Sequence, residues 1–202
     1  PPIARPPSHV CSGAAYDYCI QSLGCTAKEA TKAEGALLPN IAESMTRTQI
    51  DCVCDWLQSS LDLSDAELKK VVLRLPSVLS YSVETNLAPR LDWLQNRLDL
   101  DAAQLKKMVL RLPAVLACSV EDNMAPTLGW LQRRLELDDA QLKKMVLALP
   151  SLLGCSVEDN MVPKLDWLQT HLGLDDAQLK KMVLTFPPML GLSVEDNLAP
   201  TL

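Results

Sequence analysis

Trp56, Trp93, Trp130 and Trp167 stand 37 residues apart at each step, and Pro39, Pro76, Pro113, Pro150 and Pro187 keep the same spacing. A chain with a fixed period does not close around one centre. A single unit is too small to bury its own apolar face, so neighbours must stack and share a core. The 202-residue sequence is 48% hydrophobic yet holds one Phe, three Tyr and four Trp. Leu, Val, Met and Ala therefore fill the core, which suits helix against helix.

One copy runs from Leu98 to Arg134. Asp101 and Gln104 form a capping-box pattern at the start of its first helix, repeated as Ser64/Glu67, Asp138/Gln141 and Asp175/Gln178. Leu100 and Leu105 fit a hydrophobic staple across that start. Leu105, Met108, Val109 and Leu112 follow at i, i+3, i+4 and i+7, an amphipathic helix. Pro113 stops it, and the short apolar stretch that follows reads as a 3₁₀ turn or two.

The second helix carries Met124, Leu128, Leu131 and Leu135, with Trp130 beside that stripe. Pro126 has two readings. With Ser119 as the first residue it lies inside a kinked helix; with Asn123 as N-cap it falls harmlessly in the first turn. The second is expected. The fold class is thus all-α, an α-solenoid of two-helix repeats with short 3₁₀ turns. Full copies span 61–97, 98–134 and 135–171, with a partial one at 172–202. A degenerate copy occupies 23–60, where Cys52 replaces the proline of the others. Residues 1–22 fall outside the repeat and, with Pro1, Pro2, Pro6 and Pro7, are expected to be partly extended. Trp56, Trp93, Trp130 and Trp167 are expected in the repeat core.

The strings PSVLSYSVETNLAPRLDWLQNRL, PAVLACSVEDNMAPTLGWLQRRL and PSLLGCSVEDNMVPKLDWLQTHL, each followed by a short helix containing L-K-K, resemble the mitochondrial transcription termination factor (mTERF) repeat. The resemblance covers about residues 38–202 and, weakly, 23–37. It implies a superhelical α-solenoid, residence in a mitochondrion or plastid, and commonly nucleic-acid binding along a basic concave face.

The net charge of −6 argues against tight binding to phosphate backbones, and no copy is strongly basic. The candidate ladder for a backbone or a partner is Lys69/Lys70, Lys106/Lys107, Lys143/Lys144 and Lys180/Lys181. Asp65, Asp139 and Asp176 precede Lys69, Lys143 and Lys180 by four residues, so intrahelical ion pairs are expected to neutralise part of it. Glu84, Glu121/Asp122, Glu158/Asp159 and Glu195/Asp196 form an acidic ladder explained by capping and the helix dipole.

Cys118 and Cys155 are equivalent positions, filled elsewhere by Tyr81 and Leu192, which reads as apolar packing. Cys11, Cys19, Cys25, Cys52 and Cys54 crowd the first third without a C-x-x-C pair, and His9 is the nearby histidine; free thiols are expected there. His171 reads as a helix C-terminal dipole partner. No metal, cofactor or catalytic motif is found, and no cofactor is expected.

Leu202 falls inside what the period makes a second helix, so Leu179, Met182, Val183 and Phe186 are expected to lack a covering neighbour and to form a docking end. The functional expectation is a non-enzymatic scaffold or accessory subunit docked on a protein complex in an organelle, such as a large membrane-associated assembly. The chain itself is expected to have no membrane span. The alternative is an organellar nucleic-acid-binding factor.

Overall fold

The structure is a computed structural model that describes residues 13–192; Cys11, His9, the four N-terminal prolines and the acidic pair Glu195/Asp196 lie outside them. The fold is an all-α solenoid of two-helix repeats joined by short 3₁₀ turns. The described residues contain eleven α-helices and no strand. They fall into two compact units that divide between Ala88 and Pro89.

The first unit holds α1 (Ala14–Gln21), α2 (Ala27–Gly35), α3 (Pro39–Ser44), α4 (Arg47–Leu61) and α5 (Asp65–Arg74), then a 3₁₀ turn at Pro76–Ser80 and a π turn at Val83–Leu87. The described part of the N-terminal segment is thus helical at Ala14–Gln21. Thr26 and Glu29 close a capping box on α2, and Ser64 and Glu67 close one on α5.

The second unit is three helical hairpins: α6 (Ala88–Leu98) with α7 (Ala102–Arg111), α8 (Ala125–Arg134) with α9 (Asp139–Ala148), and α10 (Val162–Leu172) with α11 (Asp176–Thr185). The capping boxes at Asp101, Asp138 and Asp175 are all formed. The 3₁₀ turns follow each interrupting proline, at Pro113–Ala117, Pro150–Gly154 and Pro187–Gly191.

The start of the second helix differs from expectation. Ser119, not Asn123, is the N-cap: its hydroxyl accepts from the Asp122 N–H at 3.1 Å. One π turn, Val120–Met124, then leads into α8, with Pro126 at the start of the regular helix. The bonds here reach back five residues, as from Met124 N–H to the Ser119 carbonyl at 3.0 Å. Proline lacks an N–H and crowds the carbonyl four residues back, and the wider turn makes room for it. The same π turn precedes Pro89 and Pro163. In α4, where Cys52 stands in place of the proline, the helix is regular from Arg47 to Leu61.

The core is aliphatic. Leu94, Met124, Leu128, Leu131, Leu142, Val146, Leu153 and Leu165 are fully buried. Trp56, Trp93, Trp130 and Trp167 are all half-buried, at the margin of that core. Trp93 lies between Leu91 and Leu94 in sequence, about 100° round the helix from Leu94, so leucines take the inward positions. The tryptophans are the shoulder of the repeat core and not its centre.

Candidate interaction face

Residues brought together by the hairpins are mostly polar side chains that cross from one repeat to the next. Lys143 Nζ donates to the Asp99 carbonyl, and Lys180 Nζ to the Glu136 carbonyl at 2.6 Å. Asp99 and Glu136 both have φ of 48°, the left-handed turn that ends α6 and α8. A helix end leaves carbonyls without an intrahelical donor and carries partial negative charge, so a lysine from the next hairpin satisfies it. In the first unit Lys69 does the same, donating to the Gly24 carbonyl at 3.0 Å and pairing with Glu29 at 3.2 Å.

The intrahelical pairs expected for these lysines do not form. Asp139 meets Arg97 at 3.3 Å and Gln132 at 3.0 Å; Asp176 meets Arg134 at 3.1 Å and Gln169 at 3.0 Å. Hydrogen bonds from Gln169 and Arg134 hold the Asp176 carboxyl below its ordinary value. Asp65 takes a bond from Gln58 at 2.8 Å. An arginine fork from the preceding hairpin reaches the aspartate and the nearby glutamine together, a geometry a lysine cannot match.

A second series joins the other ends of the hairpins. Arg90 donates to the Leu116 carbonyl at 2.7 Å, Thr127 to the Cys155 carbonyl at 3.2 Å, and Lys164 to the Leu190 carbonyl. Lys164 is buried, and desolvation lowers its pKa. Arg111 adds a bond to the Leu147 carbonyl at 3.1 Å.

The lysine pairs therefore divide. Lys69, Lys143 and Lys180 are turned into the array, and Lys106 also has a partner. Lys70, Lys107, Lys144 and Lys181, one residue on, are exposed. In the second unit the troughs beside the first helices hold these second lysines. Gln104, Lys107, Met108, Arg111 and Leu147 line the trough between α7 and α9. Lys144, Ala148, Ala177, Lys181, Leu184 and Pro187 line much of the one between α9 and α11, a cleft of about 700 Å³. Gln178, Lys181, Met182, Thr185 and Phe186 line a third on the far side of α11. None of the three linings includes a carboxylate.

The four residues expected at a docking end differ in exposure. Leu179 and Val183 are fully buried, Met182 is half-buried, and Phe186 is 55% exposed. Helical spacing explains the split: Leu179 and Val183 share the inward face, while Met182 and Phe186 turn towards the trough.

The remaining groups are structural. The Ser119 N–H donates to Asn123 Oδ1 at 3.1 Å while the Ser119 hydroxyl accepts from the Asp122 N–H; the Ser82 N–H donates to Asn86 Oδ1 at 3.2 Å in the same way. In these two copies the bond gives the Asn of the S-V-E-x-N string a role at the start of the π turn. His171 stacks on Trp167 with ring centroids 4.3 Å apart, and its Nδ1 lies 3.2 Å from the Trp167 carbonyl.

Cys19, Cys25, Cys52, Cys54, Cys118 and Cys155 are free thiols. Burial pushes Cys19 up to about 12 and Cys54 up to about 11. Among the described residues no group of three or more His, Cys, Asp or Glu could hold a metal ion, and no helix is long and apolar enough to cross a membrane.

The mTERF family model matches residues 94–202. That is more than half of the sequence. The chain belongs to the mTERF family. No curated protein matches it. For this mTERF chain, the match runs from within α6 onwards and includes the troughs and the bonds made by Arg97, Arg134, Lys143 and Lys180.

Proposed function

We propose that this mTERF chain is a non-enzymatic helical-repeat scaffold, an accessory subunit that docks on a protein assembly in a mitochondrion or plastid. The observation that carries the reading is the use made of the cations. In the second unit Arg90, Arg97, Arg111, Arg134, Lys143, Lys164 and Lys180 are committed to bonds between repeats. Lys106 has a partner as well, which leaves Lys107, Arg133, Lys144 and Lys181. A backbone-tracking surface needs several cations per turn of nucleic acid; here about one per repeat is left, in a chain of net charge −6.

The family's nucleic-acid role is the second reading. The absence of carboxylates from the troughs favours it, since any polyanion would be accepted there. The two readings separate on affinity capture of the tagged chain from organelles, with and without nuclease. A defined set of proteins that survives nuclease supports the scaffold. Recovery of nucleic acid alone, or loss of every protein on nuclease treatment, overturns it.

A further inference from the structure

We infer that the troughs across α7, α9 and α11 receive an acidic, amphipathic segment of a partner protein, seated on their apolar floor with its carboxylates on Lys107, Lys144 and Lys181. The inference rests on the scaffold reading and names the chemistry of the partner at that surface.

Three observations converge. The lysines recur once per repeat at equivalent positions on the first helices α7, α9 and α11. Each faces a trough, so a single protein segment laid across the troughs meets them in turn.

The floor between the lysines is apolar. Met108 and Leu147 lie in the first trough, Ala148, Ala177, Leu184 and Pro187 in the second, and Met182 with exposed Phe186 in the third. Apolar side chains on the partner would be covered there. A phosphate backbone has nothing to place on such a floor. Strand-tracking proteins add aromatic platforms on which bases stack, but Phe186 is the one aromatic in these three linings. The tryptophans belong to the second helices and do not reach these linings.

Charge complementarity also selects the occupant. The three linings hold lysines and polar neutral groups, Gln104, Gln178 and Thr185 among them, and no carboxylate; Asp176 and Glu136 line the adjoining cleft beside Ala177 and Lys180, where Asp176 is paired with Arg134. Exposed pairs of this kind are individually weak, so register and apolar cover must supply specificity together.

The test uses the full chain and two labelled probes in fluorescence anisotropy at about 150 mM salt. One probe is a helical peptide of about 20 residues with Leu on one stripe and Glu at every seventh position, long enough to cross three helices. The other is a single-stranded RNA of similar net charge. The peptide is expected to bind at micromolar strength, and the RNA more weakly. The Lys107→Glu/Lys144→Glu/Lys181→Glu variant should lose about tenfold or more for the peptide and gain affinity for a version carrying Lys in place of Glu.

Ala177→Trp, which fills the floor and leaves the lysines in place, should also weaken the peptide. Circular dichroism on each variant separates lost binding from lost fold. Tighter binding of RNA than peptide, unchanged peptide affinity after charge reversal, or a chain that only associates with itself would overturn the inference. If the triple variant still captures the same organellar proteins, the trough assignment fails while the scaffold reading stands.

Discussion

Lys143 and Lys144 are neighbours in sequence and differ in what holds them. Lys143 is half-buried and bonded to the Asp99 carbonyl, whereas Lys144 is exposed on the trough. Lys143→Ala should cost about 1 kcal/mol, because it strips a charged donor from a helix C-terminus. Lys144→Ala should stay within about 0.5 kcal/mol. Urea unfolding of the pair checks this; equal effects would refute the division of roles.

The same contrast separates Trp130 from Leu131. Leu131→Ala empties a fully buried site and should cost about 2–5 kcal/mol. Trp130→Ala, at the margin of the core, should cost less than Leu131→Ala in the same assay. Both tryptophan and lysine repeats were visible in the sequence, and the leucine stripe already set Leu131 inward with Trp130 beside it. Which lysine of each pair turns into the array was not visible, because that depends on where the next hairpin lies.

The thiols give a pH dependence with a definite sign. Cys19 and Cys54 are raised to about 12 and 11 by burial, so folding favours their neutral forms. Their contribution is complete below the ordinary thiol value of about 8.5 and is lost as the pH climbs through about 11 to 12. Stability should therefore fall on the alkaline side, and by less in Cys54→Ala than in the parent. Thermal melts between about pH 7 and pH 10 would show the difference.

At the scale of elements, the first helices were legible in full. Their capping boxes, apolar stripes and terminating prolines lie in sequence order, and each was found in place. The second helices were legible except at their starts. Sequence reasoning weighed a proline inside an α-helix against a proline in its first turn; the chain takes a π turn. The signal was the S-V-E-x-N string, whose Asn sits four residues after Ser where an ordinary capping box places its partner at three.

Cys52 supplies the control, for α4 has no proline and no π turn. Cys52→Pro should destabilise by about 3 kcal/mol, the usual result of a proline inside a regular helix. Pro126→Ala should cost under about 1 kcal/mol, since the wide turn already lacks that donor. Denaturation midpoints of the two variants test the claim, and a large loss in Pro126→Ala would show that the π turn has another cause.

At the scale of the whole molecule, the period announced the architecture, and the composition announced an acidic chain. Neither disclosed how the cations are distributed. The second unit uses Arg97 and Arg134 as forks between repeats. Residues nearly 40 apart in sequence come together there, so no local pattern could reveal the pairing. This internal use of arginine bounds what the chain can do with nucleic acid. If Lys107, Arg133, Lys144 and Lys181 all met phosphates, a single strand would show a log–log salt slope of about −3, since each contact contributes about 0.7. Binding should be measurable at about 20 mM salt and weak at about 150 mM. Lys144→Ala should reduce the slope by about one contact, while Arg134→Ala, which removes a fork and no phosphate contact, should leave it unchanged. A slope near −6 with nanomolar affinity at about 150 mM salt would mean that the inter-repeat arginines open to phosphate, and the nucleic-acid reading would then replace the scaffold.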